Sequence, residues 1–411
     1  MAIEGRLLGG GHEVGRLGIH LKCQGANMLF DYGMTASDPP EYPAHAPPID
    51  ACFLTHAHLD HGGMVPWLTA RYDIPIHATG VTREVAILLM NDSIKIADAE
   101  GYPQPYDSKD VKIADRHFQE FMFGDTIQSG KVLVKTHSAG HIPGAAMFEI
   151  QGKKTTLVTG DLHTLDTRLV LGAKPVKCDY LIMENTYSGR NHPSRLKTEY
   201  NFLKKIEEVT RAGGFVVVPS FAVGRTQEIL LLLKDSKVEF WLDGMGKTVN
   251  QIYLRHPEYV RSAKRLRQAI SRTKEVRTQQ GRNRAIKADV IVTTSGMLDG
   301  GPVLNYIDAV RNDSKSAILL TGYQVDGSNG HKLLETGMLE FQGVNEKVEC
   351  EVLKYDFSAH AGHNELLEFA RGCDPEKIVL VHGDEPELIA ADLRAEGFEV
   401  IAPKNGEKWT I

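Results

Sequence analysis

Three imidazoles and a carboxylate fall within one short stretch, Thr55-His56-Ala57-His58-Leu59-Asp60-His61. The run before it, Ile49-Asp50-Ala51-Cys52-Phe53-Leu54, reads as a buried strand. Gly62-Gly63 follows, and then Met64-Val65-Pro66-Trp67-Leu68, which reads as a helix start. The polar groups therefore sit on a tight turn between strand and helix. While the chain is extended, His56 and His58 share a face, because side chains alternate with period two. Once the chain turns, Asp60 and His61 point back at a second position. Imidazole and carboxylate suit zinc, and the spacing fits two cations side by side better than one. A polar surface loop would explain a lone histidine. It does not explain this density between an apolar strand and paired glycines.

With 411 residues the chain exceeds one typical core, so two domains are expected. Apolar residues at 42% and charged residues at 24% are ordinary for a globular chain. No apolar run is long enough to span a bilayer. Met1-Ala2-Ile3-Glu4-Gly5-Arg6 lacks the basic-then-apolar order of a secretory signal. Cys23, Cys52, Cys178, Cys350 and Cys373 are scattered, odd in number and without a C-x-x-C pair. Reduced, mostly buried thiols of a cytoplasmic protein are the expectation. The net charge of −6 argues against a wholly basic nucleic-acid coat. Residues 255–287, however, carry eleven Lys/Arg against two Glu. Such a segment is either a steering patch for a polyanion or a solvated helix face.

The first part of the chain reads as β-rich, with strands over 3–8, Gly18–Cys23 and 26–31 separated by Gly9-Gly10-Gly11 and Gly25. Asp31 ends the third run. A carboxylate there, near a histidine cluster, commonly fixes an imidazole tautomer. Residues 35–48 are proline-rich and read as a loop, and 82–97 as a helix. Strands over 131–136 and 145–150 flank His137-Ser138-Ala139-Gly140-His141-Ile142-Pro143-Gly144. Both histidines are candidates, and the small residues around His141 favour it, since they let the backbone approach closely. Asp161, after Thr159-Gly160, is a strand-end carboxylate able to bridge two cations. A buried strand, Tyr180-Leu181-Ile182-Met183, then ends at Glu184.

After Glu184 the pattern changes to strand, loop, helix. A helix over 196–212 leads to strands over 215–218, 240–242, Val290–Thr293 and Ala317–Leu320. Each strand runs into a loop of glycines and hydroxyls, as in a parallel α/β sheet. Helix N-termini of this kind bind phosphate through free backbone N–H groups. Ser220, Arg225, Thr294 and Ser295 are the phosphate-contact candidates, against the alternative of ordinary βα-loop chemistry. A long strand over 347–355 then precedes His360 and His363, and Lys377–Val381 precedes His382. Two strand-end histidines after a segment without metal motifs read as returning members of the first site.

With these residues collected, the sequence resembles the β-CASP nucleases of the metallo-β-lactamase superfamily, which include RNA 3′-end-processing endonucleases, the RNase J enzymes and archaeal relatives. The resemblance covers essentially the whole chain. The family's motif residues map onto Asp31; His56, His58, Asp60 and His61; His141; Asp161; Glu184; His360; and His382. It implies an α/β fold, an αββα metallo-β-lactamase sandwich with an inserted parallel-sheet β-CASP domain. The expected divisions are 1–185, 186–345 and 346–411. Two departures stand out. His360-Ala361-Gly362 replaces the family's usual His-Ala-Asp, and Gly330-His331 stands where Gly-Arg is common. The resemblance leads us to expect the short archaeal cleavage-factor-like group, which starts on the lactamase domain without a KH-type extension and lacks the extra C-terminal domain of RNase J.

The resemblance implies two Zn²⁺, one on His56, His58 and His141, the other on Asp60, His61 and His382, with Asp161 bridging. Asp31 supports a ligand from outside this set. Catalytic parts fall to Asp60, to His360 as the acid, and to Glu184, which orients it. The implied reaction is hydrolysis of single-stranded RNA to 5′-phosphate and 3′-hydroxyl ends. Endonucleolytic and 5′-to-3′ exonucleolytic action both stay open, with Ser295 or His331 as residues for a 5′-end site. No membrane association is expected; a homodimer or an RNA-processing complex is what the family suggests. A DNA nuclease is disfavoured because such members tend to carry Val where this chain has His382. A small-molecule hydrolase is disfavoured by the large insertion, and a silent subunit by the complete ligand set.

Overall fold

The computed structural model describes residues 3–37, 39–341 and 343–411. Contacts divide the chain into two compact units. One comprises 1–166, 171–191 and 359–411, the other 167–170 and 192–358. The sequence pattern alone put the exchanges at 185/186 and 345/346.

The first unit is built on two seven-stranded sheets. In one the order is Lys408–Thr410, Glu4–Gly9, Gly18–Cys23, Ala26–Phe30, Ala51–Phe53, Ile76–Thr79 and Phe118–Phe121. In the other it is Glu399–Ile401, Lys377–Val381, Tyr180–Glu184, Thr155–Val158, Ala146–Gln151, Val132–Ser138 and Thr126–Ser129. Each sheet is antiparallel over its hairpins and parallel where the chain crosses over.

Alternation decides which side chains meet. Along Val132–Ser138, Val132 and Val134 are buried while Leu133 between them is 43% exposed. The inward residues of both sheets form one cluster that includes Leu7, Leu21, Phe30 and Phe53 from the first and Phe148, Ile150, Ile182 and Val379 from the second. Phe30 stacks on Phe53 with centroids 5.1 Å apart, and Phe148 meets Phe53 edge-on. Each such fully buried side chain contributes about 1.5–3 kcal/mol. Helices Gly80–Glu100, Ser108–His117, His363–Cys373 and Pro386–Ala395 complete the αββα layering.

The second unit carries a six-stranded, all-parallel sheet in the order Lys274–Glu275, Phe240–Asp243, Val290–Thr293, Val216–Pro219, Ala317–Leu320 and Glu351–Lys354. Its central strands are buried along their whole length, as helices on both faces require. The single strand expected over 347–355 is instead two. Val344–Lys347 pairs antiparallel with Met338–Phe341, and Glu351–Lys354 joins the parallel sheet. Val348 and Cys350 turn into this unit's core between them, which breaks the run. Thr167–Val170 is held within the unit by carboxylates. The N–H groups of Arg168 and Leu169 donate to Glu228, and Arg168 pairs with Glu199.

Candidate metal centre

The site lies in the first unit, at strand ends. His56 and His58 follow the strand Ala51–Phe53, while Asp60 and His61 sit on a one-turn helix, Leu59–Gly62. Gly33 permits that turn: a Cβ there would lie 1.8 Å from the Asp60 carbonyl oxygen. Asp161 follows Thr155–Val158, Glu184 ends Tyr180–Glu184 and His382 follows Lys377–Val381. Asp31 and His382 hold left-handed backbone, at φ 58° and 55°. Such a conformation costs a non-glycine residue about 1–3 kcal/mol and persists where the surroundings impose it.

Asp161 stands at the middle. Its Oδ2 is 3.5 Å from His56 Nε2 and 3.7 Å from His141 Nε2. Its Oδ1 is 3.2 Å from His61 Nε2 and 3.1 Å from His382 Nδ1. His58 Nδ1 lies 3.1 Å from His56 Nε2 and 3.2 Å from His141 Nε2. Asp60 Oδ2 is 3.6 Å from His382 Nε2. Two sets of ligand atoms result, His56, His58, His141 and Asp161 on one side and His61, Asp161 and His382 on the other, while Asp60 groups with His56 and His61 and reaches His382 through that ring's other nitrogen. His61 Nε2, Asp161 Oδ1 and His382 Nδ1 are buried without a hydrogen-bond partner. Orphaned buried polar atoms are costly, and cations between the sets would satisfy all three. The donor set of imidazoles and carboxylates fits divalent metal.

The outer nitrogens are fixed by neighbours. His61 Nδ1 donates to Asp31 Oδ2 at 2.7 Å, and Asp31 also accepts from the Thr55 N–H at 2.7 Å and the Thr55 hydroxyl at 2.8 Å. His56 Nδ1 lies 3.1 Å from that hydroxyl. His141 Nδ1 donates to the Ala359 carbonyl at 2.8 Å. In each case the inner nitrogen keeps its lone pair for a cation. Asp31→Asn is expected to weaken metal affinity by about 10–100-fold. A chelator competition titration at constant pH checks this.

Electrostatics divides the imidazoles: burial opposes protonation of His61, but Asp161, Asp31 and Asp60 override it and hold its pKa well above the usual histidine value. Burial first, then the neighbouring imidazoles, push His56 and His141 well below the usual histidine range. Burial opposes ionisation of Asp161, but His61, His382, His360 and His56 outweigh it and hold the carboxyl well below its usual value. Burial also opposes protonation of His382, which Asp161 and Asp60 nonetheless push up to about 9. Metal binding there releases protons.

Beside the ligands, His360 Nδ1 lies 3.1 Å and 3.3 Å from the two Glu184 oxygens, and its Nε2 is 3.8 Å from Asp161 Oδ2. Glu184 accepts from the Leu162 N–H at 2.6 Å and the Thr186 N–H at 3.3 Å. Burial lowers the His360 pKa, but Glu184 and Asp161 override it and raise it above the ordinary histidine value. His137, the less favoured alternative to His141, pairs at 2.8 Å with Glu149 of the neighbouring strand.

Two contributors escape sequence reasoning. The Gly15 N–H donates to His382 Nε2 at 3.1 Å, from the glycine-rich loop after the first strand. His163 is buried, and its Nδ1 donates to the His360 carbonyl at 3.0 Å. Its signal was a histidine two residues after Asp161.

The phosphate candidates lie in the second unit, at the ends of Val216–Pro219 and Val290–Thr293. The Ser220 hydroxyl is buried 3.1 Å from Thr321 Oγ1, and Arg225 donates to the Thr321 carbonyl. Thr294 and Ser295 are half-buried. His331 faces Glu335 at 3.2 Å. Within 255–287 many cations have partners in the same unit: Arg282 pairs with Asp243, Lys274 with Glu239 and Arg277 with Glu275, while Arg272 donates to the carbonyls of Lys234 and Ser236.

No helix among the described residues is long and apolar enough to cross a membrane. Three family profiles match in order: the metallo-beta-lactamase superfamily over 24–220, the Beta-Casp domain over 226–333, and the Zn-dependent metallo-hydrolase RNA specificity domain over 345–403. A probable RNase MJ4 from Methanocaldococcus jannaschii is 39% identical across 97% of this chain and 98% of its own. RNase aCSPSF2 from Saccharolobus solfataricus is 33% identical across 99% and 85%. Transcription termination factor FttA from M. jannaschii is 32% identical across 93% and 67%. A crystal structure of a protein of unknown function from Enterococcus faecalis superposes with a TM-score of 0.64 at 14% identity over the whole of both chains, a likeness of fold. Profile order, full-length relatives and the strand-end cluster agree: this chain belongs to the β-CASP family of the metallo-β-lactamase superfamily.

Proposed function

We propose that the chain is a zinc-dependent ribonuclease that hydrolyses RNA phosphodiester bonds to 5′-phosphate and 3′-hydroxyl ends. The observation that carries the reading is Asp161, whose two oxygens face two separate ligand sets. The RNase names of two full-length relatives support RNA as the substrate. His56, His58, His141 and Asp161 would hold one Zn²⁺, and Asp60, His61, His382 and Asp161 the other. When bound, the pair supplies Lewis acidity toward phosphoryl oxygens and acidifies a nearby water.

The chain's own groups do the rest. Asp31 and Thr55 hold His61 and His56 through their outer nitrogens, which turns the inner nitrogens toward the ligand sets. Glu184 holds His360 through Nδ1, which leaves Nε2 facing the centre. From there His360 donates a proton to the departing ribose oxygen, and its raised pKa keeps that proton in place near neutrality. Ser220, Arg225, Thr294 and Ser295 are proposed for RNA phosphates. A homodimer or a larger RNA-processing assembly is part of the same reading.

The test is metal analysis of the purified chain combined with a time course on RNAs labelled at either end, in 5′-monophosphate and 5′-triphosphate versions. Close to two zinc ions per chain and chelator-sensitive cleavage leaving 5′-phosphates are expected. Zinc-loaded protein that leaves every RNA intact overturns the reading. The order in which end-labelled products appear separates internal cutting from 5′ trimming.

A further inference from the structure

Two cysteines with no part in the metal centre lie side by side in the first unit. Cys178 precedes the strand Tyr180–Glu184, and Cys373 is the last residue of the helix His363–Cys373. The segments that carry them run together. The Cys178 N–H donates to the Cys373 carbonyl at 3.2 Å, and the Glu376 N–H donates to the Asp179 carbonyl at 2.8 Å. Lys177 Nζ is 3.2 Å from Asp374 Oδ2. A Cβ on Gly372 would fall 2.5 Å from Pro175, so glycine is what admits this approach.

The two thiols are buried, at 8% and 0% exposure, and each shifts the other's ionisation, Cys178 upward and Cys373 downward. Covalent geometry caps the Cα separation across such a backbone contact at about 7 Å. That is the limit within which two cysteines are bridged without moving the backbone. Among the described residues, Cys23, Cys52 and Cys350 are buried apart from this pair, in the two cores or the strand Ala51–Phe53.

We propose that Cys178 and Cys373 form a disulfide site, which staples the strand ending at Glu184 to the helix beginning just after His360. The oxidant is a small-molecule disulfide. The thiolate of one cysteine of the pair attacks one of the oxidant's sulfurs, forms a mixed disulfide and expels one thiol. The thiolate of the other then attacks that cysteine's Sγ and expels the second. Two cysteine thiols are oxidised, one disulfide is reduced to two thiols, and the cysteine protons end on those thiols. Burial makes the exchange slow, so it proceeds during folding or local opening. The bond closes a loop over residues 179–372, and a long loop removes much freedom from the unfolded chain.

The full chain, equilibrated across a series of glutathione redox ratios and quenched with acid, is alkylated in denaturant, digested and mapped by mass. A cross-linked peptide pair containing Cys178 and Cys373 is expected, with alkylatable thiols falling from five to three. The thermal midpoint of the oxidised chain should exceed that of the dithiothreitol-reduced chain by several degrees. Cys178→Ser should show neither change. Cys178→Ala serves as a second variant should serine disturb the packing. Five free thiols at every ratio, a cross-link to another cysteine, or an unchanged midpoint in the cross-linked chain each overturns the proposal.

Discussion

Asp161→Asn is expected to lower RNA cleavage by at least about a thousandfold, because the several kcal/mol that a cation supplies in such a centre is lost with its shared ligand. Asparagine keeps the volume but offers one weak oxygen where the carboxylate offers two. Only one of the facing sets, His56 with His141 or His61 with His382, would then retain an oxygen from residue 161. Metal content after dialysis should therefore fall below the wild-type ratio. Substituting Asp161 also removes the charge that holds up the His382 pKa, so the two imidazoles nearest it lose their protons more easily. The fold should survive, since the core cluster between the sheets contains none of the ligands. Elemental analysis, cleavage rates and a thermal scan of the same preparation check all three points. Unchanged metal content with full activity would remove Asp161 from the centre.

His360→Ala is expected to behave differently. Cleavage should slow by about 10²–10⁴-fold, the range for loss of a general acid, while metal content stays at the wild-type value. His360 is held by Glu184 and faces the ligands from one side. The alkaline limb of the pH–rate profile, where a histidine acid loses its proton, should flatten in the variant. A variant that loses metal in parallel with activity would make His360 a support for the ligand cluster rather than an acid. His141 donates to the Ala359 carbonyl, so that outcome is a real alternative, and the metal measurement separates the two.

How much of this was legible in the sequence depended on the range of the interaction. The cluster from His56 to His61 was legible because strand and turn are local, and four ligands in one stretch leave few geometries. Asp161 and His382 were legible as strand-end polar residues. That they meet at 3.1 Å depends on Lys377–Val381 pairing with Tyr180–Glu184 across nearly two hundred residues, which no local pattern encodes. Here the family resemblance did the placing. The split of the expected strand over 347–355 was hidden, because Val348 and Cys350 look like strand residues and become core residues only by long-range packing. The Gly15 N–H was invisible for another reason. A backbone donor carries no residue signature, and the glycine run around it reads as any turn.

The parallel pairing of Tyr180–Glu184 with Lys377–Val381 also bears on how the protein is made. Synthesis runs from the N-terminus, so His56, His58, Asp60, His61, His141 and Asp161 leave the ribosome long before His382. A nascent chain that has emerged only through residue 376 lacks Lys377–Val381, the second strand of its sheet, and the His382 that completes one ligand group. On the proposed reading, the ligands come together only once His382 has been made, by which time the inserted unit has already been extruded.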